Sequence, residues 1–189
     1  MANQVHGDLK GQNVLISDDG AAVLIDFGNA AMGESTLQFT ATATNQSITA
    51  RWAAPEIVEG GKHSVEADVY ALGMTILETF TGRVPYPEKN LEVAVLHTIA
   101  QRRLPDRPYD SIPNTRWGEA LWKLLLMCWA EDPGQRPAAL QVRDELQRIR
   151  NDGAPGSAML APASVDLYYS RIFYDTLPSC LFGPSIVQS

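Results

Sequence analysis

Near the start of the chain, the run His6-Gly7-Asp8-Leu9-Lys10-Gly11-Gln12-Asn13 places an aspartate, a lysine and an asparagine within one short loop. Asp26, followed by Phe27 and Gly28, comes after two short apolar runs. Brought together, Asp8, Lys10, Asn13 and Asp26 would set two carboxylates, an amide and an ammonium around one point. Asp26 and Asn13 are hard oxygen donors of the kind Mg²⁺ accepts, with triphosphate oxygens completing its octahedron. Asp8 can take the proton of an attacking hydroxyl, and Lys10 can neutralise charge on a phosphoryl group in transit. That chemistry is phosphoryl transfer. A lone Asp or Asn in such a loop is more often a turn-former, so the argument rests on the whole set.

A hairpin is needed to return Asp26 to the side of Asn13. Val14–Ser17 and Ala22–Ile25 are β-type runs around Asp18-Asp19-Gly20, which reads as a tight turn. Residues 29–50 lack an apolar period and are rich in Ser and Thr, Thr49 among them. A structureless stretch of that length in a compact domain reads as a functional loop. Helical patterns follow. Ser64 is placed to cap a helix running to about Phe80, apolar nearly throughout and therefore buried, with Gly82 and Pro85-Tyr86-Pro87 ending it. Asn90 is expected to cap the next helix, whose apolar positions include Leu91, Val95, Leu96 and Ile99. Trp117, Leu121, Leu125 and Cys128 share one face of a third helix, and Val142, Leu146 and Ile149 repeat the pattern after Pro137. The expected fold class is α+β, mainly α. Residues 1–150 form the expected domain, and residues 151–189 a linker and a tail without a clean period.

Composition narrows the partners. The 189 residues are 45% hydrophobic and carry 22 acidic against 15 basic side chains, a formal charge of −7. Such a chain repels phosphate backbones and anionic lipid, so neither a nucleic acid nor a membrane is an expected partner. Cys128 and Cys180 are too few for a disulfide framework and lack metal-ligand spacing, which points to a reducing, cytoplasmic setting. No apolar run is long enough to span a bilayer, and Met1–His6 has neither the basic end nor the apolar stretch of a secretory signal. No feature of the sequence sets an oligomeric state.

At these residues the chain resembles the protein kinase superfamily. His6–Asn13 is similar to the catalytic loop His-Arg-Asp-x-x-x-x-Asn, and Asp26-Phe27-Gly28 to the metal-binding triplet. Ala54-Pro55-Glu56 resembles the end of an activation segment, and Asp68–Gly73 the start of the central helix of the large lobe. Cys128-Trp129, Asp132-Pro133 and Arg136-Pro137 resemble that lobe's late helices, in the style of tyrosine-kinase-like Ser/Thr kinases. The resemblance covers about residues 5–150. It implies a kinase C-terminal lobe of a short hairpin plus helices, with the N-terminal lobe absent, using ATP and Mg²⁺ on a protein substrate. Under it, Asp8 and Lys10 are catalytic, Asn13 and Asp26 hold Mg²⁺, and Leu15 lies under the adenine ring. His6 and Phe27 stack beneath the site, Gly28 completes the triplet, and Thr49 bonds both Asp8 and Lys10. Glu56 pairs with Arg136, and Asp68 holds the catalytic-loop backbone by hydrogen bonds. A lysine two residues after the catalytic aspartate matches kinases that modify Ser and Thr.

The family's Gly-rich loop, strand lysine and helix glutamate lie upstream of its catalytic loop, and none can be placed within this chain. The expectation is therefore weak Mg²⁺-ATP binding by these residues alone, with some apolar surface uncovered. Gly7 stands where many kinases have an arginine that pairs with an activation-loop phosphate, and Ile48 replaces the usual glycine before Thr49. The 29–50 loop is accordingly not expected to be switched by that pairing. Two other functions stay open. One is a non-catalytic, pseudokinase-like interaction module, which keeps its partner in Asp8→Asn. The other is a small-molecule phosphotransferase of the aminoglycoside or choline kinase type, which also uses His-Gly-Asp…Asn and Ile-Asp-Phe-Gly. Ala54-Pro55-Glu56, Asp68–Gly73 and Arg136 weigh against the latter.

Overall fold

The computed structural model describes residues 5–18, 22–26 and 49–154. Phe27, Gly28, the turn residues Asp19 and Gly20, the Ser/Thr-rich stretch up to Ile48 and the tail from residue 155 lie outside the described residues.

Two strands, β1 (Val14–Ile16) and β2 (Ala22–Leu24), pair antiparallel with Val14 opposite Leu24 and Leu15 opposite Val23. Side chains alternate across such a ladder, so each cross-strand pair shares a face. The Val14–Leu24 pair is buried, at 1% and 7% exposure, while Leu15 and Val23 remain 49% and 40% exposed. Beyond the strands Ile25 N–H donates to Asn13 O at 2.9 Å. Asn13 and Asp26 therefore leave the hairpin at the same end.

Five α-helices follow among the described residues: α1 (Pro55–Val58), α2 (Val65–Thr81), α3 (Glu92–Ala100), α4 (Arg116–Cys128) and α5 (Ala139–Asn151). Ser64 Oγ accepts the Ala67 N–H at 3.1 Å and starts α2, and the Gly82 N–H returns to Glu78 O at 2.8 Å to end it. Buried, mostly apolar or small residues occupy α2 on nearly every side, so it runs through the core as a post, with α4 and the 3-10 turn Ala50–Trp52 packed against it. On α4, Leu121, Leu124, Leu125 and Cys128 are at most 1% exposed. Burial pushes the Cys128 thiol up to about 12, so it is a core side chain and no nucleophile. Val142, Leu146 and Ile149 bury the matching face of α5. Phe80 stacks on Trp117 at 6.3 Å between centroids, and Trp122 meets Trp129 edge-on at 5.7 Å.

The start of α3 departs from the sequence pattern. Leu91, in extended conformation and 71% exposed, occupies the position before the helix, and no side chain caps it. Asn90 cannot serve because it belongs to the loop before the helix, where the neighbouring Lys89 carbonyl is bound by Arg51 at 2.7 Å.

One ion pair, its arginine buried and its glutamate side chain 26% exposed, closes the fold from residue 56 to residue 136. Arg136, with no exposed side-chain surface, forks onto Glu56 at 2.5 and 2.9 Å and also donates to the carbonyls of Ala130 and Glu66, each at 3.0 Å. Its guanidinium lies 5.1 Å from the centre of the Tyr70 ring. Burial works to raise the Glu56 carboxyl, but the Arg136 hydrogen bonds and charge outweigh it and hold the group below its usual range. Removing one partner leaves the other charge uncompensated, so Arg136→Leu is expected to cost about 3–5 kcal/mol in urea unfolding. A depressed folded pKa means the folded state holds this proton less tightly than the unfolded one. The stability from Glu56 is thus present at neutral pH and fades as pH falls below roughly 4.3, the ordinary glutamate value. Thermal midpoints of the wild type and Glu56→Gln should be well separated at neutral pH and converge in acid.

Candidate active site

Residues 6–13 carry their side chains on a loop broken only by a 3-10 turn at Gly11–Asn13, so most of its N–H groups need acceptors from elsewhere. Asp68, in the first turn of α2, supplies two of them. Its Oδ2 accepts the His6 N–H at 2.6 Å and its Oδ1 the Gly7 N–H at 2.9 Å. Burial outweighs these bonds and raises the Asp68 carboxyl above its usual range. Gly7 turns the chain here with φ +78°, in the left-handed region where a side chain costs on the order of 1 kcal/mol or more.

The His6 ring joins the loop to the hairpin. Nδ1 accepts the Asp8 N–H at 3.3 Å, so Nε2 carries the proton and donates to Ile25 O at 3.2 Å. This buried ring is a bracket rather than an acid or base. Asp8 then projects into the site. Its Oδ2 receives Lys10 Nζ at 2.8 Å and Asn13 Nδ2 at 3.0 Å, while the same Asn13 nitrogen donates to the Asp8 carbonyl at 2.7 Å. Its Oδ1 is buried and accepts no hydrogen bond among the described residues. Lys10 Nζ continues to Thr49 Oγ1 at 2.9 Å. Thr49 does not bond Asp8 directly, contrary to the expectation from the resemblance: the Lys10 ammonium stands between them and takes both oxygens.

Asn13 spends its amide nitrogen on Asp8, which leaves its carbonyl oxygen for another ligand. Asp26 is exposed and holds φ +63°, a left-handed conformation that aspartate tolerates better than most residues. No cluster of three or more His, Cys, Asp or Glu forms among the described residues. Two oxygen donors at a hairpin mouth do suit a cation that brings phosphate oxygens of its own, as Mg²⁺ does. Leu15 and Val23 present an exposed apolar pair on the sheet face beside them.

Sequence reasoning missed three residues. Arg51 donates to the carbonyls of Pro85, Tyr86 and Lys89 at 2.7 to 2.8 Å and clamps the loop before α3. Trp52, 2% exposed, donates its Nε1–H to Glu78 Oε2 at 3.0 Å, and the Gly11 N–H donates to the same oxygen at 3.1 Å. The available signal was a glutamate deep in an otherwise apolar helix, since a polar group in such a place needs partners.

The protein kinase domain family matches residues 2–146. Among characterised proteins, the chain is 30% identical over 148 residues to mouse protein-tyrosine kinase 6, covering 78% of this chain and 31% of that protein. It is 32% identical over 145 residues to the human protein of the same name, covering 76% and 30%. With the mitogen-activated protein kinase kinase kinase ANP1 of Arabidopsis thaliana it shares 33% identity over 138 residues, covering 73% and 20%. The chain thus spans less than a third of the length of these relatives. Among the described residues, no helix is long and apolar enough to cross a membrane.

The two-donor grip of Asp68 has a direct test. In Asp68→Asn the amide can accept only one of the two N–H groups and turns its own N–H₂ toward the other. The expected loss is about 1–3 kcal/mol in urea unfolding.

Proposed function

The chain belongs to the protein kinase family, and on that premise we propose that it supplies the catalytic lobe of a Ser/Thr protein kinase. The reaction moves the γ-phosphoryl of ATP to a protein hydroxyl. The observation that carries this reading is the state of Asp8: one oxygen is held by Lys10 and Asn13, and the other is buried without a partner. That unpaired Oδ1 is the acceptor left for the proton of a substrate hydroxyl, which passes to it as the oxygen attacks the γ-phosphorus and ADP leaves.

Members of the family use Mg²⁺ and ATP, which supply the phosphoryl group and screen its charge. In this chain the Asn13 carbonyl and the Asp26 carboxylate are the oxygens that would hold the cation, and exposed Leu15 offers the adenine an apolar floor. Lys10, fixed between Asp8 and Thr49, places positive charge where the transferring group must pass. The Ser/Thr assignment rests on Lys10 and its bond to Thr49, since the named relatives include both tyrosine kinases and a mitogen-activated protein kinase kinase kinase.

A non-catalytic interaction module is the second reading. It draws on Leu91 and Val93, apolar side chains that are 71% and 76% exposed at the start of α3. Transfer of labelled γ-phosphate to a mixed pool of Ser-, Thr- and Tyr-containing peptides, at millimolar Mg²⁺-ATP, separates the two. The kinase reading expects label on Ser and Thr, and a fall of about 10²-fold or more in Asp8→Asn. Labelling that Asp8→Asn leaves unchanged, or none at all, would favour the interaction module.

A further inference from the structure

Glu78 lies ten positions along α2 from Asp68, about 15 Å at the helical rise, and faces the underside of the catalytic loop. A single oxygen, Oε2, accepts the Gly11 N–H at 3.1 Å and the Trp52 Nε1–H at 3.0 Å. Gly11 opens the 3-10 turn that carries Asn13. Trp52 closes the 3-10 turn that begins immediately after Thr49. The approach is so close that a Cβ at Gly11 would stand 2.8 Å from Oε2 and 3.0 Å from Cδ of Glu78, and the carboxylate would have to move aside. One carboxylate oxygen therefore touches both segments whose spacing sets the Asp8–Lys10–Thr49 bridge.

We propose that Glu78 is a positioning residue, whose Oε2 fixes the catalytic loop against the Ala50–Trp52 turn so that Lys10 reaches Asp8 and Thr49 together. The word catalytic in that statement rests on the kinase reading above; the placement of the two segments does not. Both donors are neutral N–H groups, so the role asks for an acceptor oxygen rather than for a negative charge. A glutamine, whose carbonyl oxygen can accept both bonds, should replace it. A leucine of similar size should not.

The test uses the full 189-residue chain and nuclear magnetic resonance, with three probes: exchange of the Gly11 amide, exchange of the Trp52 indole N–H, and the Lys10 ammonium signal. In Glu78→Gln all three are expected to stay within about threefold of wild type. In Glu78→Leu the Gly11 and Trp52 protons should exchange about tenfold faster or more, and the Lys10 signal should be lost, while the Leu121 and Leu125 amides of α4 keep their protection. Trp52→Phe removes one donor and leaves the carboxylate in place, so it decides the matter if Glu78→Leu fails to fold. There the Gly11 amide should again speed up and the Lys10 signal weaken. Glu78→Gln behaving like Glu78→Leu, or a Lys10 signal indifferent to Trp52→Phe, overturns the proposal. None of these probes needs nucleotide. A chain that passes them yet transfers no phosphate would sink the kinase reading and leave the Glu78 assignment standing.

Discussion

Three backbone N–H groups of the loop at residues 6–13, those of His6, Gly7 and Gly11, are satisfied by two carboxylates of one buried helix. Much else in the structure follows from this constraint. A loop that must aim Asp8, Lys10 and Asn13 at one point cannot also spend its backbone on a helix or a sheet. Its polar groups still have to be paired once they leave water. α2 provides the acceptors at the cost of carrying Asp68 and Glu78 into the interior, where burial raises both carboxyls. The helix can bear that cost because nearly all its other side chains are apolar or small and packed.

Four of the eight residues from Thr49 to Glu56 are tied down by their side chains. Thr49 is held by Lys10, Arg51 by three loop carbonyls, Trp52 by Glu78 and Glu56 by Arg136. These ties reach in different directions, to the loop at residues 6–13, to the loop before α3, to the central post and to the segment before α5. A short stretch held in this way keeps its backbone in place without regular structure of its own beyond one 3-10 turn and the four-residue α1.

Much of this was legible in the sequence because it depends on local rules. The β-type runs Val14–Ser17 and Ala22–Ile25 on either side of Asp18-Asp19-Gly20 mark a hairpin, Ser64 marks the start of a helix, and the spacing of Leu121, Leu125 and Cys128 marks a buried face. Asn90 misled because capping depends on how the chain arrives at a helix, and Arg51 decides that from a distance. Glu78 and Arg51 went unread for a related reason. Their partners are backbone carbonyls, a backbone amide and an indole N–H, groups that leave no spacing pattern along the chain. The Thr49 contact was half legible: the pairing with Lys10 followed from the resemblance, but that Lys10 would stand between Thr49 and Asp8 is a matter of side-chain reach.

The ion pair between Glu56 and Arg136 also bears on how such a chain can change over generations. Losing either partner alone strands a charge in the core, a penalty comparable with a large part of a small domain's stability. Exchanging both at once for well-packed apolar residues is often neutral or better. The two routes differ only in order, yet every one-step path passes through a poorly folded intermediate. The pair is therefore held by a valley between sequences as much as by its own strength. Positions 56 and 136 can be redesigned only together, with the Tyr70 ring and the Glu66 and Ala130 carbonyls repacked in the same move.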